Sequence, residues 1–127
     1  MKIKTLLCNC KGLSPSFQHT DLNTLPFDLE SDLDVEYAAA HPQLCGHGGK
    51  ALLEDVLRAA EDEPDTYVLV GACAPDAQTK LFKKVLRATG FPEDHFIRLD
   101  IQNTTNDGIL DRVRAKIVSL TTPEKPH

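Results

Sequence analysis

No stretch of the sequence approaches 18 consecutive apolar residues, so no membrane-spanning helix is available. The start, Met1-Lys2-Ile3-Lys4, lacks a small-residue cleavage site, which argues against a signal peptide and for a cytoplasmic chain. A basic surplus is missing too. Lys and Arg number 14 against 19 Asp and Glu, and the net charge of −5 disfavours nucleic-acid phosphate as a main partner. Absent as well are a Gly-rich dinucleotide fingerprint, a P-loop and the closely spaced cysteine run of a ferredoxin. No internal repeat or low-complexity tract stands out. Asn103-Thr104-Thr105 fits a glycosylation acceptor, which has no meaning inside a cell.

What is present is the balance of an ordinary globular chain, 41% hydrophobic and 26% charged over 127 residues, enough for one domain. We place that domain at 1–120, with 121–127 as a flexible C-terminal tail carrying Pro123, Lys125 and Pro126. "KIKTLL" reads as a first strand over 2–7, and the Pro-containing stretch 12–33 as loop plus one short helix. "DVEYAAA", 34–40, alternates as a second strand. Leu52, Leu53, Val56, Leu57 and Ala60 fall at helical spacing and predict a helix over 48–62. "TYVLVGAC", 66–73, is the β-branched apolar run of a strand buried on both faces. A helix follows from Pro75, suited to its first turn, to Gly90, suited to its C-terminal cap. "HFIRLDI" gives a fourth strand and "DGILDRVRAKIVSL" a last amphipathic helix. Strands alternating with helices predict an α/β fold: a mostly parallel four-stranded sheet with helices on both faces, Rossmann-like.

The four cysteines fall on this plan with a pattern. Cys8 and Cys10 follow strand one, Cys45 follows strand two, and Cys73 ends strand three. A parallel sheet collects the carboxyl ends of its strands on one edge, where open α/β sheets place ligands. Three distant segments are therefore expected to deliver four thiols to one crevice. In a reducing compartment such thiols read as metal ligands or redox groups before disulfides. In extended chain, Cys8 and Cys10 would share a face at roughly 6.6 Å, comfortable for two irons of one cluster and less natural for one ion. Cys45 and Cys73 each precede a helix, whose N-terminus is expected to lower a thiol's pKa. Gly46, Gly48 and Gly49 are expected to let backbone approach a bulky inorganic group. Against this stands the plain reading of each cysteine as a small buried hydrophobe.

"CNCKG", "HPQLCGHGG" and "LVGACAPDAQTKLF", with Phe82 and the later Gly90, Phe91, Ile97 and Arg98, resemble the N-terminal iron–sulfur domain of the flavin-binding subunit of heterodisulfide reductase and its relatives. The resemblance covers about residues 2–100. It implies that Cys8, Cys10, Cys45 and Cys73 bind one 4Fe–4S cluster in an electron-transfer chain. It also implies a redox partner: a flavoprotein, a ferredoxin or heterodisulfide reductase-like subunits. The flavin-binding domain and ferredoxin modules of that family have no counterpart in this sequence, and "LDIQNTTNDG" departs from the family after Arg98.

Other readings stay open. A zinc-stabilised interaction domain would use the same four cysteines, although structural zinc favours Cys-x2–4-Cys pairs. A metal-free thiol redox or sulfur carrier protein would use Cys8 and Cys10 alone. His41 and His47 flank Cys45 as ligands, neighbours of the site or solvated side chains, and "CGHGG" before a helix is also a phosphate cradle. Lys80, Lys83, Lys84 and Arg87 form a basic stripe, either a solvated face or a docking patch for an acidic partner. Arg98 and Asp100 either face the cluster edge or form a structural salt bridge.

Overall fold

The computed structural model describes residues 1–10 and 14–121. Four strands and four helices alternate: β1 (Lys2–Leu7), α1 (Leu25–Asp32), β2 (Tyr37–Ala40), α2 (His47–Ala59), β3 (Thr66–Ala72), α3 (Pro75–Thr89), β4 (Phe96–Asp100) and α4 (Asn106–Thr121). The sheet has the order β2-β1-β3-β4, and every neighbouring pair is parallel. Such pairing needs crossover connections, which the helices supply. No helix among the described residues is long and apolar enough to cross a membrane.

Alternation along the two central strands sorts the core into two halves. Leu6, Val68 and Val70 point to one face, where they meet Leu53 and Leu57 of α2 and Phe82 and Leu86 of α3. Ile3, Leu7 and Leu69 point to the other, against Leu25 and Leu29 of α1 and Ile109 and Val113 of α4. With both faces covered, the central strands are apolar almost throughout, as a doubly wound sheet requires. Gly71 belongs here because a Cβ would come within 3.0 Å of Ile101 Cγ2 and 3.1 Å of Leu7 Cδ2.

Register levels the strand ends: Leu7 sits opposite Ala40 and Gly71, and Ala72 opposite Asp100. Backbone bonds carry the ladder slightly further, from Cys8 N to Gly71 O at 2.9 Å and from His41 N to Leu7 O at 2.9 Å. The chain leaves β1 toward β2 on one side and returns to β3 on the other. The topological switch therefore lies between β1 and β3, where a crevice opens beyond the strand ends.

Element boundaries differ from the sequence reading at their ends. α2 stops at Ala59, three residues early, where Glu61, Asp62 and Glu63 would load its C-terminus with negative charge and Pro64 disfavours helix at the residue before it. β2 begins at Tyr37, three residues later than expected. Thr121 closes α4 and is not tail; the remaining expected tail, 122–127, lies outside the described residues, as do 11–13 of the expected loop.

Candidate functional site

Cys8 is the first residue past β1, and its neighbours fix its sulfur from two sides. Leu44 N–H donates to Cys8 Sγ at 3.4 Å, and the thiol donates to Pro42 O at 3.7 Å. Both partners lie in the loop that carries Cys45, so this bond joins the first two cysteine segments. The side chain is 4% exposed. Beyond it the chain turns: Cys10 adopts the left-handed conformation, with φ 52°. β1 ends at Leu7, so Cys8 and Cys10 lie beyond the strand itself. Cys10 lies at this turn, two residues beyond Cys8. A non-glycine residue in this region carries backbone strain of about 1 kcal/mol or more, a feature concentrated at ligand sites.

Cys45 immediately precedes Gly46, the N-cap of α2. Its loop is pinned by His41, whose Nδ1 accepts from Gln43 N at 3.0 Å, and by Gly46 N donating to Gln43 O at 3.1 Å. His41 serves the loop, and His47 is exposed. A Cβ on Gly49 would strike Gln43 O and the Leu44 backbone, at 2.6 Å from Leu44 C. The close approach that Gly49 permits is therefore loop against helix, not backbone against a bound group as the glycine run suggests.

Cys73 follows β3 and leads through Ala74 into α3. Beneath it lies Gln78, fully buried, whose Nε2 donates to Cys73 O at 2.8 Å and to Leu99 O at 3.1 Å. One amide thus ties the Cys73 turn to the end of β4. Sequence reasoning missed Gln78, yet a signal exists: it falls on the buried stripe of α3 with Phe82, Val85, Leu86 and Thr89. Asn9, between the first two cysteines, also escapes a reading by sequence; its Oδ1 is buried without a hydrogen-bond partner.

Cys10 and Cys73 each feel the charge of other thiols in the set. Burial pushes the Cys10 thiol up from its ordinary 9.0, and negative charge on Cys8, Cys73 and Cys45 pushes the same way. Burial also raises Cys73; its own backbone hydrogen bond opposes this, while Cys8, Cys45 and Asp100 add to it. The expectation that a helix N-terminus lowers these thiols fails at Cys73, because burial and neighbouring negative charge outweigh it. Asp100 adds its charge at Cys73, while its Oδ1 accepts from Gln102 N at 2.8 Å. Arg98 forms a salt bridge instead: its Nη2 pairs with Glu93 Oε1 and Oε2, both at 3.1 Å.

The gathering is open in geometry. Among the described residues, no three His, Cys, Asp or Glu side chains form a group that could hold a metal ion. A four-cysteine zinc cage asks for four sulfurs about 2.3 Å from one point, and these thiols do not surround one. In donor chemistry four soft sulfurs from three segments suit iron–sulfur ligation and four-cysteine zinc alike, and a cationic centre of either kind would relieve their mutual repulsion once ionised.

No family model matches the chain, and no curated protein matches it.

Proposed function

We propose that the protein binds one 4Fe–4S cluster through Cys8, Cys10, Cys45 and Cys73 and transfers electrons as a subunit or module related to the flavin-binding subunit of heterodisulfide reductase. One observation carries the reading: Cys8, Cys10 and Cys73 follow the carboxyl ends of β1 and β3, and the loop that carries Cys45 is hydrogen-bonded to Cys8, all beside the topological switch of the sheet. When bound, the cluster supplies a one-electron carrier. The chain's own residues shape its surroundings. Leu44 N–H donates to a ligating sulfur, the burial of Cys8 keeps water from one side, and Gln78 holds the Cys73 turn. With every iron position taken by cysteine, no open iron remains for substrate, which favours electron transfer over catalysis. The partner in this reading is another redox protein: a flavoprotein, a ferredoxin or a heterodisulfide reductase-like subunit.

A metal-free thiol pair is the second reading, favoured by the single-residue spacing of Cys8 and Cys10 at the turn after β1. One experiment separates the two. Protein purified and reconstituted without oxygen is examined by absorption spectroscopy, with iron, sulfide and zinc measured on the same sample. We expect a broad band at the blue edge of the visible and about four irons and four sulfides per chain. Single Cys→Ala variants at all four positions should each lose that iron. One zinc and no colour, or no metal with activity surviving Cys45→Ala and Cys73→Ala, would overturn the proposal.

A further inference from the structure

Away from the cysteines, a groove of about 420 Å³ runs between α3 and β4, the edge strand of the sheet. Its size falls in the range of small-molecule sites. Leu86 and Phe91, both buried core residues, form its apolar floor. Lys80, Lys83 and Arg87 line one wall, spaced i, i+3 and i+7 along a single face of α3, and Arg98 lines the other.

The charges are unbalanced. Among the described residues, Lys80, Lys83 and Arg87 have no acidic partner, and the groove's one carboxylate, Glu93, is engaged with Arg98. Four cations against one carboxylate leave three positive charges in surplus, on a chain whose net charge is −5. Arg98 is held in place: its guanidinium lies 4.9 Å from the Phe96 ring centroid and its side chain is only 16% exposed. Its Nε–H is buried with no acceptor. A guanidinium held on one wall, beside exposed cations on the other and an apolar floor, matches a ligand that carries its charge at one end.

We propose that the groove between α3 and β4 binds a small organic anion, an apolar or aromatic body bearing a phosphate. The body lies on Leu86 and Phe91, and Arg98, Lys83 and Arg87 hold the phosphate. The site is independent of the thiols.

The test is calorimetric titration of the full chain with phenyl phosphate, benzoate, phenol, inorganic phosphate and a glutamate-rich peptide. We expect saturable binding of phenyl phosphate that weakens with salt, with benzoate weaker and phenol and inorganic phosphate weaker still. Arg98→Gln should weaken phenyl phosphate about tenfold. Lys83→Gln and Arg87→Gln, exposed positions that leave the fold intact, should each weaken it about threefold. The proposal fails if phenyl phosphate shows no saturation, if phenol or inorganic phosphate binds as tightly, or if Lys83→Gln and Arg87→Gln change nothing. Tighter binding of the peptide than of phenyl phosphate would make the groove a protein-docking surface and overturn it equally.

Discussion

Cys10 and Cys73 keep their protons above the ordinary thiol value of 9.0, and burial is the leading cause at both. In metal-free protein, iodoacetamide should therefore modify these two slowly at neutral pH, with rates still climbing past pH 9 by site-resolved mass spectrometry. A thiol must lose its proton to ligate, so metal uptake should release protons and strengthen as pH rises. Gln78 is the residue whose loss should be felt most without touching a thiol. Gln78→Met strands the carbonyls of Cys73 and Leu99, and should lower stability by about 1–3 kcal/mol, read from the urea midpoint. The sequence made the cysteines visible because they are few and sit at strand ends. It hid the left-handed turn at Cys10, since only the folded backbone shows which residue takes positive φ.

α2 and the loop before it depend on Gly49, where any side chain meets backbone and not a yielding side-chain tip. Gly49→Ala should cost about 1–3 kcal/mol and loosen the Cys45 loop, seen as a lower urea midpoint and reduced iron retention. Gly90 is a milder case: its φ is +66° but a Cβ there meets nothing within 4 Å, so Gly90→Ala should cost only about 1–2 kcal/mol of backbone strain. At the opposite end of the sheet, Lys4 Nζ pairs with Glu63 Oε1 at 2.7 Å, joining β1 to the segment after α2. Hydrogen bonds from Lys4 and Lys2 hold the Glu63 carboxyl below 4.5, and Glu63 holds Lys4 above 10.5. A lowered carboxyl stabilises the fold above its ordinary pKa, and that stability is lost as pH falls through the folded value. The raised lysine is its mirror, fully stabilising below 10.5 and losing that contribution as pH climbs through its folded value. Urea midpoints of wild type and Glu63→Gln should accordingly differ near neutrality and converge as pH falls below 4.5 through the folded value of Glu63. The elements were legible from spacing alone; their ends were not, because an acidic run and a proline cut α2 short of what its apolar period suggests.

At the scale of the whole molecule, alternation of strand and helix was enough to read a parallel sheet covered on both faces. Strand order was not readable that way. Nothing in Leu6 or Val70 taken alone says that β1 lies between β2 and β3; the packing of two separate helix pairs against alternating side chains decides it. The groove between α3 and β4 was half legible: Lys80, Lys83 and Arg87 stand out as a stripe on α3, while Arg98 joins them only once β4 packs beside it. The central place of β1 also sets an order of events during synthesis. The first strand of this sheet to be made is the one that needs partners on both sides, and β3 completes its pairing only after residue 72 has emerged. Cys8 and Cys10 therefore wait unsheltered while roughly 60 further residues are made, about 3–12 s at ordinary elongation rates. Any assembly on the four thiols is a late event, and a nascent chain arrested before β3 should display all three of its cysteines to alkylating reagent.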